Sequence, residues 1–357
     1  MTLSDDEVHA FRAAVYRFYR REGRHELAWR LTDDPYWILL SEIMLQQTQV
    51  SRVEVRYEEF LGLFPSFGAL AAASLRDVLA AWSGLGYNRR ARFLHELAGI
   101  VVRDYGGRLP EDIPSLRALP GIGEYTAAAV ACFAFGAPVA VIETNIRRAI
   151  IYSFFSQESG DDTSVFAAEP DGFETRVVAF PERREEFLPR EVPAAVHDRE
   201  VREVADQLLD REYPARWNYA LMDYGQALSS LVPNPNRHSA HYTRQSRFEG
   251  SRRQVRGAIL KVLSSVAFAT EQTLADETGF AHGRLHSVLL DLRREGFVET
   301  TGVGPSGAEA LSAESAGLES AGHDSAGETS AAEKADELQT PAETALQPDS
   351  GRRWRIR

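Results

Sequence analysis

Glu42 lies inside the apolar run Trp37 to Leu45, where an ionisable side chain is costly unless it has a task or a partner. A carboxyl in such a setting is a candidate proton donor, because burial disfavours its charged form. The alternative is a structural glutamate satisfied by backbone amides. A second carboxylate, Glu143, follows the apolar run Pro138 to Ile142 and stands two residues before Asn145. The structural alternative for this residue is a mere pair with Arg147, one helical turn on. Between these two carboxylates, residues 116–130 read LRALPGIGEYTAAAV: a short helix, a Pro-Gly-Ile-Gly turn, then a helix of small residues. Gly121 and Gly123 permit tight backbone angles and bring no side chain, so successive amide N–H groups can point at one phosphate beside a helix N-terminus. That is a helix-hairpin-helix pattern and implies grip on a nucleic-acid backbone irrespective of base sequence. The alternative is an ordinary glycine turn between packed helices.

These residues must be carried by helices. The first starts after Ser4, whose hydroxyl caps it while Glu7 reaches back, and Val8, Phe11, Val15, Phe18 and Tyr19 give it one buried face. From Pro35 to Gly136 the pattern predicts nearly continuous helix, broken at Phe64-Pro65-Ser66, Gly84-Leu85-Gly86, Gly106-Gly107 and Pro120 to Gly123. Over about 155–197 acids, Gly, Ser and Pro replace the periodicity, with one strand-like run at Thr175 to Phe180, and the segment reads as an insertion. Helices resume at Asp198 to Leu209 and Trp217 to Leu231, followed by a polar, basic linker over 236–251. Residues 252–357 hold three helical pieces, with Val255, Ile259, Val262 and Leu263 on the first and Leu285, Val288, Leu289 and Leu292 on the third. Arg294 to Thr300 then opens a hairpin whose returning strand is the alternating GRRWRIR at the C-terminus, a winged-helix pattern of α+β type. The Ser-, Ala-, Glu- and Gly-rich stretch 301–350 is too polar to bury and is expected to be a disordered insertion in the wing. The predicted organisation is a helical region over 1–235, with a six-helix portion at about 30–136, then the linker and the winged helix.

At 357 residues and 44% hydrophobic content, the chain can fill two or three cores. No apolar stretch reaches the roughly 20 residues of a membrane span. The N-terminus is acidic and then amphipathic, unlike a secretory signal, so a cytoplasmic protein is expected. The net charge of −12 argues against a nucleic-acid partner only if it is spread evenly. It is not: residues 301–350 hold ten acids and one lysine, nine of the twelve excess negative charges. Basic residues of the whole chain are almost all arginine, lysine occurring only at Lys261 and Lys334. The single cysteine, Cys132, excludes an internal disulfide and a cysteine-ligated cluster. His238, His241 and Tyr242 lack the cysteine or acid ligands of a metal site, so neither metal nor cofactor is expected.

The segments PYWILLSEIMLQQTQV (35–50), GLGYNRR (84–90), LPGIGEYTAAAV (119–130) and PVAVIETNIRRAI (138–150) occur in the order seen in MutY-type adenine DNA glycosylases. The chain resembles that helix-hairpin-helix-GPD, endonuclease III-related family over about 27–153 and again at 217–225. The resemblance implies an all-α helix-hairpin-helix DNA glycosylase fold. It also implies a monofunctional base-excision-repair hydrolase that flips adenine, opposite G or 8-oxoguanine, out of duplex DNA and leaves an abasic site. Glu42 matches the family's general acid, which protonates the departing base chiefly at N7. Glu143 replaces the usual aspartate that stabilises or attacks the sugar cation, its extra methylene moving the charge by roughly 1 Å, and Asn145 keeps the family's place beside it. Tyr125 stands where bifunctional relatives carry a Schiff-base lysine, so it hydrogen-bonds the catalytic carboxylate or only packs, and amine-driven strand cleavage is not expected. Gln46, Gln47, Thr48 and Leu85 match positions that enter the helix or contact the base opposite the flipped nucleotide, with polar helix-end surface as the alternative for the glutamines. Asp223 resembles an acid near the target base, or only pairs locally.

Two departures stand out. The family's four cluster-binding cysteines after the last catalytic helix are missing, and the C-terminal third resembles a winged helix instead of a lesion-reading domain. Arg284, His286, Arg293 and the terminal Arg-Arg-Trp-Arg-Ile-Arg could grip duplex DNA there, or the module binds a protein partner. A monomer acting on mismatched or damaged double-stranded DNA is expected, at the chromosome and without a membrane. The rival readings are a thymine or uracil glycosylase acting opposite G and a DNA-binding regulator that has lost catalysis. Retention of Glu42, Tyr125 and Asn145 opposes the second.

Overall fold

The computed structural model describes residues 1–158, 167–168, 174–175, 180–187, 190–192, 195–240, 247–301 and 352–357. The chain divides into two compact units, Met1–Arg253 and Gln254–Arg357.

Unit 1 is helical. Helix α1 (Asp5–Glu22) starts as its sequence dictates: Glu7 N–H donates to the Ser4 hydroxyl, and Ser4 N–H donates to the Glu7 carboxylate at 2.8 Å. Helix α2 (Pro35–Leu45) is capped by Asp34, which accepts from the N–H of Tyr36 at 2.8 Å, and has Pro35 at its first position. Tyr36 and every residue from Ile38 to Met44 are buried, so α2 is a central helix sheathed on all sides. Against it pack α3 (Val50–Leu63), α6 (Arg89–Tyr105) and α8 (Glu124–Phe135), with α4 (Phe67–Ala72) on α6, α5 (Leu75–Ala81) on α3 and α6, and α7 (Ile113–Arg117) on α8. Two breaks carry no Gly or Pro and escape the sequence pattern. Ser74 caps α5 by accepting from Asp77 N–H at 3.1 Å. The chain also turns at Gln47, whose φ of 54° is left-handed.

Helices α9 (Thr144–Phe154), α10 (Asp198–Leu208) and α11 (Pro214–Leu231) pack with α1 into the second half of the unit. Helix α11 begins three residues before the expected Trp217, because Pro214 fits the first turn. Its Gly225 crosses the start of α9 so closely that a Cβ there would lie 1.9 Å from the carbonyl oxygen of Asn145. Within the predicted insertion, β1 (Gln157–Glu158) pairs with β4 (Arg190–Glu191), and β2 (Ala167–Ala168) with β3 (Glu174–Thr175). The strand expected over 175–180 lies mostly outside the described residues. Phe180 and Phe187 from this region are buried among the unit's aromatic rings, with the Phe11–Phe180 centroids 4.8 Å apart.

Unit 2 contains the bulk of α12 (Arg252–Ser265), then β5 (Ala269–Thr270), α13 (Glu271–Thr278), α14 (His282–Arg294), β6 (Val298–Thr301) and β7 (Arg353–Ile356). The strands form an antiparallel sheet in the order β5-β7-β6, with Thr300 opposite Trp354. Its core is Val255, Ile259, Leu263, Leu285, Leu289, Leu292, Phe297 and Trp354. The predicted wing insertion falls almost wholly outside the described residues.

Candidate functional site

A cleft of about 650 Å³ opens in unit 1 among the C-terminal end of α2, the α7–α8 turn, the start of α9 and residues 24–30. Its walls bring together Glu42, Gln46, Gln47, Thr48, Gly121, Gly123, Tyr125, Glu143 and Asn145.

Glu42 sits on α2 with 5% of its surface exposed, and the Tyr125 hydroxyl, from the first turn of α8, donates to its Oε2 at 2.8 Å. Burial pushes the Glu42 carboxyl up to about 7. The Tyr125 hydrogen bond opposes that rise, and the charge of Glu143 adds to it. Burial, with the Glu42 charge behind it, drives the Tyr125 hydroxyl far above its ordinary pKa, so the tyrosine remains a donor. The structural alternative for Glu42, satisfaction by backbone amides, is not what the molecule does.

Glu143 is the N-cap of α9. Its Oε1 accepts from the N–H groups of Asn145 at 2.7 Å and Ile146 at 2.8 Å, and its Oε2 accepts from the Asn145 side-chain amide at 3.1 Å. The pairing with Arg147 gives way to this cap, because Arg147 reaches Asp198 through two bonds of 2.8 and 2.9 Å. Burial raises the Glu143 carboxyl above its ordinary range and the two amides hold the rise back. The N-terminus of α9 is itself favourable to a negative charge.

The back wall was not foreseen. Arg24 and Arg30 line the cleft, and both are held by Asp223, which has 2% of its side chain exposed. Asp223 accepts from Arg24 Nε at 2.7 Å and from the two terminal nitrogens of Arg30 at 2.7 and 3.0 Å. Burial would raise this carboxyl, but the hydrogen bonds and charge of Arg30, with the charge of Arg24, hold it below its ordinary value. Asp223 is therefore a local partner and not itself part of the cleft wall. Arg30 also lies over the Tyr219 ring, 4.6 Å from its centroid. Arginines in aperiodic loops give no hydrophobic pattern to read, and the only sequence signal was the ionisable Asp223 inside an apolar helix.

The rim of the cleft is organised by a third unforeseen arginine. Arg90, 8% exposed, donates at 2.7–3.1 Å to the carbonyls of Ile43, Met44, Gln46, Leu85 and Gly86 and to the Thr48 hydroxyl. It thereby satisfies carbonyls that the end of α2 leaves without helical partners. Gln46 donates to the Thr126 hydroxyl at 3.1 Å, and Gln47 is exposed. Leu85, between two glycines of positive φ, is 4% exposed and is not among the residues that line the cleft. A wedge role would require it to swing out.

A model of the HhH-GPD superfamily of base excision DNA repair proteins matches residues 40–173. An adenine DNA glycosylase of Mycobacterium tuberculosis is 34% identical over 283 residues, covering 77% of this chain and 86% of that protein. The chain belongs to the HhH-GPD superfamily, among the adenine DNA glycosylases. The corresponding enzyme of Mycolicibacterium smegmatis is 49% identical over 129 residues, 36% of this chain and 44% of that enzyme's length. A thymine/uracil-DNA glycosylase of Methanothermobacter thermautotrophicus is 36% identical over 141 residues, 39% of this chain and 63% of that one.

This family member has no cluster of three or more His, Cys, Asp or Glu that could hold a metal among its described residues. Cys132 is buried, with its thiol pushed up to about 12 by burial, and lies 3.4 Å from the Asn218 amide. His241 and Tyr242 lie outside the described residues, while His238 uses its carbonyl to accept from Val196 N–H at 2.8 Å. In unit 2, Arg284 and Arg293 are exposed on α14. Nine residues apart, they lie about 180° from one another around the helix, so they do not form one patch. His286 contacts Glu271 at 2.9 Å, tying α14 to α13 and leaving that ring nitrogen occupied within the unit.

Proposed function

We propose that this glycosylase hydrolyses the N-glycosidic bond of a mismatched adenine, opposite G or 8-oxoguanine, and leaves an abasic site. The observation that carries the reading is that Glu42, hydrogen-bonded by Tyr125 and titrating near neutrality, opens on the same cleft as Glu143. Because Tyr125 donates to Oε2, the proton of neutral Glu42 sits on Oε1, available to N7 of an extrahelical adenine. Protonation lets the C1′–N9 bond break with its electron pair leaving on a neutral base. The sugar cation then faces the Glu143 carboxylate, whose ionised form is favoured by the N–H groups of Asn145 and Ile146. Water adds at C1′, and one of its protons returns to a carboxylate. Among the described residues, those that line the cleft include no amine to form an imine, which supports release of the base without strand cleavage. Gly121 and Gly123, exposed at the N-terminus of α8, suit a DNA phosphate.

Unit 2 reads as a winged helix from its helix-strand-helix-helix-hairpin order. It would hold duplex DNA through α14, with Arg284 and Arg293 meeting phosphates on either flank. In this reading the protein acts as a monomer on the chromosome, in the cytoplasm. Duplexes containing A·G, A·8-oxoguanine, T·G or U·G, incubated with the protein and then treated with alkali, test it. Cleavage at adenine, dependent on the alkali, is expected. Cleavage only at T or U opposite G would make the enzyme a mismatch pyrimidine glycosylase. Binding without cleavage of any duplex would make it a regulator.

A further inference from the structure

We infer that the segment following α11 positions Glu143 for the reaction, acting through Asn236, Asn234 and Arg148; this rests on the reading of Glu143 as the carboxylate that faces the sugar. The Glu143 carboxylate is fixed by the first turn of α9, through the N–H groups of Asn145 and Ile146 and the Asn145 side chain. Whatever rotates that turn moves the charge, and a misplacement of about 1 Å can matter greatly for a positioned group.

The turn is pinned from three sides. Asn236, 4% exposed, donates its side-chain N–H to the Thr144 carbonyl at 2.9 Å. Arg148 donates to the side-chain oxygen of Asn145 at 2.7 Å, which turns the amide nitrogen of Asn145 toward Glu143. The same nitrogen of Arg148 donates to the Gly225 carbonyl at 2.9 Å, and its Nε to the Asn234 side chain at 3.4 Å. The missing side chain of Gly225 lets the Asn145 backbone seat against α11.

The strap is itself anchored. Asn234 accepts from Asn236 N–H at 3.2 Å, Val196 N–H donates to the His238 carbonyl at 2.8 Å, and Ala240 N–H donates to the Val196 carbonyl at 2.9 Å. A strap with only a packing role could meet α9 anywhere along its length. Here its bonds end on Thr144 and, through Arg148, on Asn145, the two residues after Glu143. Side-chain amides thus hold the catalytic turn in a region of the chain that contains no cysteine.

The test uses full-length protein carrying Asn236→Leu or Asn236→Asp, each alone and combined with Glu143→Gln. Single-turnover adenine release is measured beside the thermal midpoint and affinity for an abasic-site duplex. Asn236→Leu should slow release about tenfold while abasic-duplex affinity stays within about twofold. Asn236→Asp places an acceptor against the Thr144 carbonyl and should slow it further. With Glu143→Gln already present, neither should slow release again, because the group being positioned is gone. An unchanged rate, or a loss that adds fully to that of Glu143→Gln, overturns the inference. Full activity of Glu143→Gln alone would instead overturn the role of Glu143, whatever the Asn236 variants do. Should Asn236→Leu fail to fold, Arg148→Lys carries the same comparison.

Discussion

Replacing Glu42 with glutamine separates what the carboxyl does for the reaction from what its burial costs the fold. Its pKa rises from 4.5 to about 7, chiefly by burial, in a side chain only 5% exposed. A rise of that size corresponds to about 3 kcal/mol. The folded state binds the proton more tightly than the unfolded chain, so this contribution is complete below about pH 4.5. It is lost as pH rises through about 7. Glutamine does not titrate, and its Oε1 can keep the Tyr125 hydrogen bond. The variant should therefore match wild type in stability near pH 4.5 and exceed it by up to about 3 kcal/mol at pH 8. Urea unfolding at both values measures this, followed by tryptophan fluorescence, with Trp29, Trp37, Trp82 and Trp217 reporting on unit 1. Base release should meanwhile fall by about 10²-fold or more, with duplex binding retained. A stability difference that does not change between the two pH values would refute the argument, since Glu42 would then titrate as an ordinary carboxylate. A wild-type rate would remove it as the acid.

The same titrations shape the pH profile: single-turnover rates should fall above about pH 7 as Glu42 ionises, and fall in acid as Glu143, itself raised, takes up a proton. A rate that keeps climbing above neutrality would contradict this. Glu143→Asp keeps a capping carboxylate, so stability should change by less than about 1 kcal/mol. The rate should fall, because the site is built around the longer reach; an equal or higher rate would show glutamate to be an imperfect substitute. Gly225→Ala brings a Cβ to 1.9 Å from the Asn145 oxygen and should lower the thermal midpoint by several degrees and slow base release. A variant with wild-type melting and rate would show that α9 and α11 can part there freely. Unit 1 alone, residues 1–253, should bind duplex DNA more weakly, with a shallower dependence of affinity on salt. Unchanged binding would remove unit 2 as a DNA grip.

What could be read from the sequence divides along physical lines. Glu42 was legible because an ionisable residue in an apolar helix breaks a pattern that would otherwise be pure packing, whereas Tyr125 was legible only through the family resemblance, by its place after the Gly-Ile-Gly turn. Helix starts at Ser4 and Pro35 were legible because capping is local chemistry. Arg90, Arg24 and Asn236 were not, since each acts on carbonyls or carboxylates brought near only by the tertiary fold. Arg90 serves the end of α2 from 44 residues or more along the chain, and Asn236 reaches Thr144 across a separation of 92. Neither distance leaves a trace in local periodicity. Leu85 shows the converse. Its place in the motif was recognisable, but the turn between Gly84 and Gly86 is a property of backbone angles, with φ of 93° and 69°, that the motif does not spell out. Glu143 lies between these cases. Its type and place were legible, yet its reach back to cap α9 follows only once the amides of Asn145 and Ile146 are free donors at a helix start. In the proposed reaction, that cap would let a glutamate serve where the family resemblance implies an aspartate. Two backbone N–H groups and the Asn145 amide fix the longer side chain as firmly as a shorter one would be fixed by its own stiffness, so the extra methylene need not cost precision.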